Sequence, residues 1–179
     1  MTIKLFINKD TSHFRLSGAP ARSIDFYNQL KAIEKPTVVA SCGIIGRGLF
    51  ADVSVKKNQY IIEYVGELVD DAEYNRRYDM YKDRGYKHDY FQHIKDGMHL
   101  DATMIGNKGR YANHSCNPNS TPVRVRLEGT RIYVLFLAAN RRINKGEPIT
   151  FDYGWFKSDT GIIDMDECKC GSSNCRGYI

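Results

Sequence analysis

Hydrophobic positions along this chain fall into short runs rather than long ones. From Val38 onward, brief apolar stretches alternate with glycine turns, the texture of small β-strands. Ile61, Ile62, Tyr64 and Val65 predict a strand ahead of Gly66. Val123, Val125 and Leu127 alternate with Arg124 and Arg126, a period of two that predicts a strand with one polar face. Glu128-Gly129-Thr130 predicts a turn into a buried strand over 132–138, which completes a hairpin. The one strong helical signal covers 70–84. Asp70 or Asp71 can cap its start, Tyr74, Tyr78 and Tyr81 recur at helical spacing as a packing face, and Gly85 is placed to end it. Residues 1–37 mix short apolar runs with the turn-like Ser17-Gly18-Ala19-Pro20, carry a candidate helix over 22–34 and end at Pro36. The pattern predicts an α+β domain, mostly β, with one inserted helix.

With 179 residues the chain suits one domain with a short appendage, and 42% hydrophobic residues suit a folded core. No apolar run reaches the roughly 20 residues that span a bilayer, and the start lacks the apolar core of a signal peptide. A soluble intracellular protein without a membrane partner is therefore expected. The net charge of +5 is uneven, because residues 1–60 hold nine Lys/Arg against four Asp/Glu while the remainder balances. That basic N-terminal third is either a solvated face or a surface for nucleic acid or another polyanion. Five cysteines are too few and too clustered for a secreted disulfide framework.

Four segments carry candidate chemistry. Gly46-Arg47-Gly48 follows a predicted strand, and its glycines allow positive φ and close approach to a ligand; alone it reads as a hairpin turn first and a ligand site second. Arg110-Tyr111-Ala112-Asn113-His114-Ser115-Cys116-Asn117-Pro118-Asn119 packs amide, imidazole, hydroxyl and thiol groups into a stretch that reads as neither regular helix nor interior strand. Such density is costly to bury unless each group finds a partner, so a ligand-binding loop is expected. The third is Glu147-Pro148-Ile149-Thr150-Phe151-Asp152-Tyr153-Gly154-Trp155. In the fourth, Cys168, Cys170 and Cys175 form a CxC followed by a further cysteine. Three thiolates leave tetrahedral zinc one ligand short, and Cys116 is the obvious fourth.

In this order, the segments resemble the SET-domain protein-lysine methyltransferases with a post-SET zinc segment. GRG is similar to the family's first motif, EYVGE to its next strand, RYANHSCNPN to its pseudoknot motif, GEPITFDYGW to its catalytic motif, and CKCGSSNCRGYI to a post-SET ending. The resemblance implies a SET fold of several small sheets around a pseudoknot, with one inserted helix and a C-terminal zinc-binding post-SET. It divides the chain into a flanking segment (1–37), the SET domain (38–157) and the post-SET segment (158–179). It implies S-adenosylmethionine and zinc as cofactors. By the same resemblance, Gly46, Arg47, Gly48, Asn113, His114 and Tyr90 hold the methyl donor, and Tyr153 and Tyr90 are catalytic. Phe151 and Tyr86 would line the substrate channel, and Cys116, Cys168, Cys170 and Cys175 would hold the metal.

The activity so implied is S-adenosylmethionine-dependent lysine N-methylation of a histone H3 tail, to the di- or trimethyl state, in the nucleus. Cys42 is the one cysteine ahead of RYANHSCNPN, where many histone-directed members carry an upstream cysteine-rich zinc segment; the resemblance thus tips towards the group that methylates H3 near its N-terminal end, with nucleosomal DNA as a partner for the basic N-terminal third. Methylation of a non-histone protein is the alternative enzyme reading. An inactive SET-like module that binds a peptide or assembles a complex is the non-enzymatic one.

Overall fold

The computed structural model describes residues 21–86, 88–127, 133–154 and 167–179. They fall into two compact units, each drawn from separated stretches of chain. Unit 1 takes in residues up to 33, 63–110 and 124–136; unit 2 takes in 34–62, 111–123 and 137–179.

Unit 1 begins with helix α1 (Ala21–Ala32), close to the expected 22–34. It buries Tyr27 and Leu30, and Tyr27 donates its hydroxyl to Glu63 Oε2 at 2.8 Å while Lys31 Nζ lies 3.3 Å from the same oxygen. A buried carboxylate needs such partners, and Glu63 receives both a hydroxyl and a cation. Strands β4 (Glu67–Asp70), β5 (Phe91–Lys95) and β6 (Met98–Asp101) form an antiparallel sheet in the order β4-β6-β5. Asp96 and Gly97 both take positive φ, 50° and 71°, in the turn between β5 and β6, where an Asp-Gly pair suits a tight hairpin.

Helix α2 (Asp71–Asp83) follows β4 directly, with Asp70 as its N-cap: Oδ1 accepts from the Glu73 amide at 2.9 Å. Its tyrosine face is only partly buried. Tyr81 and Phe91 are in the core and Tyr74 packs against them, but Tyr78 lies at the rim, exposed and stacked on Tyr74. Arg77 anchors the helix by reaching Glu67, Glu73 and the fully buried Asp101 at 2.7–2.8 Å. Tyr81 donates its hydroxyl to Asp101 at 2.8 Å. Removing the guanidinium would leave a buried carboxylate short of its counter-charge, which costs about 3 kcal/mol or more. Arg77→Met is therefore expected to lower unfolding stability by about 3 kcal/mol, read as a fall in urea midpoint at unchanged m-value.

Unit 2 contains the antiparallel hairpin of β1 (Thr37–Ser41) and β2 (Arg47–Ala51), joined through a 3-10 turn at Gly43–Ile45. Two further strands, β7 (Asn113–His114) and β10 (Thr150–Phe151), pair in parallel. The polar segment 110–119 is thus not all loop, since a 3-10 turn over Lys108–Tyr111 leads into β7. Asn119, 2% exposed, stitches this crossing: its Nδ2 donates to the Pro148 carbonyl at 2.7 Å and its Oδ1 accepts from the Thr150 amide at 2.9 Å.

A third sheet, in the order β3-β9-β8, is made of β3 (Tyr60–Tyr64), β8 (Ser120–Arg126) and β9 (Tyr133–Ala139). Ile61, Leu135, Phe136 and Leu137 are the sheet's largest fully buried side chains. The predicted turn at 128–130, Ile132 and Trp155 lie outside the described residues. The observed class is the expected one, α+β and mostly β, built of several small sheets.

Candidate active site and cysteine cluster

Unit 2 gathers most of the chemically suggestive residues. Gly46 closes the β1–β2 loop with φ of 95°, and a Cβ built on it would meet nothing within 4 Å. Gly48 is different: a Cβ there would lie 3.1 Å from Cys42 Cβ and 3.3 Å from Asn113 Nδ2, so the strand needs a residue without one. Asn113 donates Nδ2 to the Arg47 carbonyl at 3.0 Å, and the Arg47 guanidinium lies 5.9 Å from the Tyr111 ring centre. The Asn113 side chain thus ties its motif to the glycine turn, while the pairing of β7 with β10 ties it to the segment of Tyr153.

His114 has its side chain 2% exposed, and both ring nitrogens are engaged. Nδ1 accepts from the Tyr153 amide at 3.3 Å, which places the ring proton on Nε2, 3.4 Å from Cys116 Sγ. Burial pushes the imidazole pKa down, against the opposing pull of Asp152, so the ring is neutral at pH 7. Tyr153 is held at a second point by its hydroxyl, which donates to the Ala112 carbonyl at 3.1 Å. Its ring packs 4.8 Å from that of Phe151, which is 1% exposed.

Cys116, Cys168, Cys170 and Cys175 converge with their sulfurs within 4.8 Å of one another. Zinc–sulfur bonds of about 2.3 Å set tetrahedral sulfurs roughly 3.8 Å apart, and Cys116 and Cys168 are separated by 3.8 Å. The surroundings also suit thiolates. Arg176 and Gly177 point backbone amides at Cys116 Sγ and Cys175 Sγ, 3.3 and 3.4 Å away, and His114 Nε2–H adds a third donor. As thiols they compete for protons: burial pushes Cys168 up, whereas at Cys170 hydrogen bonds from the Cys116 backbone and Ser172 outweigh burial and draw it down. A dication accepts all four as thiolates and removes that conflict.

A family model for the SET domain matches residues 46–154 of this chain, which span the Gly46 turn, β7, β10 and Tyr153. The chain belongs to the SET-domain family. Among its relatives, the histone-lysine N-methyltransferase ASHR3 of Arabidopsis thaliana is 37% identical over 82% of this chain and 28% of its own length. An H3 lysine-36 specific histone-lysine N-methyltransferase of Aspergillus fumigatus is 40% identical over 75% of this chain and 13% of its own. An H3 lysine-4 specific one from Emericella nidulans is 36% identical over 86% and 12%. This SET-domain chain thus spans between about an eighth and just over a quarter of the length of these relatives.

Of the residues singled out from sequence, Gly46, Arg47, Gly48, Asn113, His114, Phe151, Tyr153 and the four cysteines all lie in unit 2. Tyr90 and Tyr86 belong to unit 1. Tyr90 is half-buried there; its amide donates to Thr103 Oγ1 at 3.1 Å, and Arg110 lies 5.3 Å from its ring centre while donating to the Ala102 and Thr103 carbonyls. Tyr86 is exposed, with its hydroxyl 3.8 Å from Met104 Sδ.

Sequence reasoning missed Asp152 and Arg176. They form a two-pronged ion pair of 2.7 and 2.9 Å, whose hydrogen bonds hold the Asp152 carboxyl below the usual carboxylate range. Their opposite charges were the available signal, but residues so far apart in sequence give no reason to be paired before the fold is known. No helix among the described residues is long and apolar enough to cross a membrane.

Proposed function

We propose that this chain is a protein-lysine N-methyltransferase that uses S-adenosylmethionine, acts on the histone H3 tail in the nucleus, and proceeds to the di- or trimethyl state. The carrying observation is Tyr153, fixed through its amide by His114 and through its hydroxyl by Ala112, within the stretch that matches the SET domain.

The open backbone at Gly46 beside Arg47 and Asn113 fits a zwitterionic amino-acid moiety: a cation for its carboxylate and a strand surface with no side chain in the way. Both ring nitrogens of His114 already have partners, so its contribution to that moiety is assigned to its backbone. When bound, S-adenosylmethionine supplies an electrophilic methyl group on a cationic sulfur. The rest falls to the protein. A lysine must be neutral to attack, and its ordinary pKa is about 10.4. A dry channel next to positive charge disfavours the ammonium form. A tyrosine hydroxyl with its proton committed to a carbonyl turns its oxygen towards the amine without adding a competing charge. The remaining task is to hold nitrogen and methyl carbon in line, which is a matter of positioning. Tyr90 and Tyr86 are proposed as channel residues on the family match, and the four cysteines as the zinc ligands.

The relatives' names include both lysine 4 and lysine 36 of H3, so the proposal is made for the tail and not for one lysine. Incubation with radiolabelled S-adenosylmethionine and separate recombinant histones, then with H3 peptides centred on each lysine, tests it. Label on H3 is expected; label only on a non-histone protein, or none despite cofactor binding, would reject the histone reading or the enzyme reading respectively.

Phe151 supports the proposed product state. Its ring packs on Tyr153 and carries no hydroxyl to hold a water where a methylated amine must turn. Phe151→Tyr is expected to shift exhaustively reacted peptide towards monomethyl lysine, as read by mass spectrometry. A wild-type reaction that stops at monomethyl would move control of the product to other residues.

A further inference from the structure

Arg176 follows the last cysteine of the cluster and touches both it and the strand end that carries Tyr153. Its backbone N–H points at Cys116 Sγ, 3.3 Å away, and its two Nη groups grip the Asp152 carboxylate. Asp152 immediately precedes Tyr153. Its Oδ1 also accepts the Gly154 amide at 3.0 Å and lies 3.7 Å from His114 Nδ1, the nitrogen that receives the Tyr153 amide. Arg176 therefore orients the carboxylate that holds the Gly154 amide, and that carboxylate lies beside the imidazole that holds the Tyr153 amide.

The arrangement is a costly one to build by accident. Arg176 Nε is buried with no acceptor among the described residues, while the bidentate fork is kept. The tail from residue 167 buries only Cys168, so apolar packing does little to hold it. Polar contacts hold it instead: the sulfur cluster, this ion pair, the Ser172 hydroxyl on Ser115 Oγ at 3.2 Å and Asn174 Nδ2 on the Cys116 carbonyl at 3.3 Å.

We infer that Arg176 is a positioning residue for the reaction: it passes the order of the cysteine-held tail through Asp152 to the backbone from which Tyr153 projects. The inference rests on the catalytic role proposed for Tyr153. A guanidinium fork fixes both carboxylate oxygens in a plane, which a lysine ammonium cannot do. Displacement of a catalytic group by an ångström costs on the order of 100-fold in rate.

The test compares the full chain, purified with its metal, as wild type, Arg176→Gln, Arg176→Lys, Asp152→Asn and the Arg176→Gln/Asp152→Asn double variant. Zinc content, kcat and KM for an H3 peptide, and hydrogen exchange at the Tyr153 amide are measured on each. In Arg176→Gln, kcat is expected to fall about 10- to 100-fold, with peptide KM within about twofold of wild type and zinc at its wild-type stoichiometry. Arg176→Lys should retain part of the rate, and the double variant should be no worse than either single, because all break one interaction. Exchange at the Tyr153 amide should quicken in step. Additive losses, an unchanged kcat, or loss of zinc in Arg176→Gln would overturn the inference. If wild type itself transfers no methyl group, the catalytic reading fails separately, and Tyr153 exchange alone decides whether Arg176 positions it: faster exchange upholds that, unchanged exchange refutes it.

Discussion

Tyr153→Phe is expected to lower kcat about 100-fold while leaving the dissociation constant for S-adenosylmethionine within about twofold. The variant keeps the ring, so its packing on Phe151 and the amide bond to His114 survive. What it removes is one oxygen and one donor to the Ala112 carbonyl, a change worth about 1 kcal/mol in stability and too small to unfold the domain. An oxygen that orients the attacking amine acts chiefly in the transition state, so its loss appears in kcat rather than in ground-state binding. A folded variant with wild-type turnover would remove Tyr153 from the mechanism and leave the polar segment as a binding loop only.

How much of this was readable beforehand depended on the length over which each signal extends. Helix α2 was readable because capping, tyrosine spacing and a terminal glycine agree over several turns, and its observed bounds differ by one residue at each end. Strands β7 and β10 were not, because two residues cannot display a period; beside their pairing, the Asn119 side chain bonds Pro148 and Thr150, a contact no local pattern announces. The same limit hid Tyr78's exposure, since spacing assigns a face to the helix but not the width of the surface that covers it. Among the site residues, Cys116 could be joined to a distant cluster by counting, because three thiolates demand a fourth ligand. No such count exists for charges. Glu73 stands four residues before Arg77 on one helix and is readable as its neighbour, but Arg77 meets Glu67 and Asp101, and Arg176 meets Asp152, only once the fold brings them within reach. The glycines divide likewise. Gly46 is explained by a turn with positive φ, but Gly48 only by the asparagine and cysteine pressed against it.

Under competition with a chelator that leaves the wild type loaded, Cys170→Ser is expected to lose its zinc and with it most of the activity. Binding at four-thiolate sites is worth about 10–16 kcal/mol, so one ligand of four accounts for roughly 3 kcal/mol, about a 100-fold or greater loss of affinity. A serine hydroxyl does not ionise near neutral pH and cannot replace the thiolate. Without the metal, Cys168 is left as a thiol whose burial pushes its pKa up. The tail has almost no apolar burial to keep it in place, so it should become a site of rapid proteolysis while α2 and the β4–β6 sheet of unit 1 keep their protection. Cys42→Ser is the control for metal content, because Cys42 is the one cysteine outside the group of four. Elemental analysis, limited proteolysis and methyl transfer on the same preparations give the answer. Full zinc occupancy in Cys170→Ser, or equal zinc loss in Cys42→Ser, would assign the metal to a different set of ligands. If chelation of the wild type removes zinc and loosens the tail without lowering turnover, the cluster holds the C-terminus in place but has no part in the reaction.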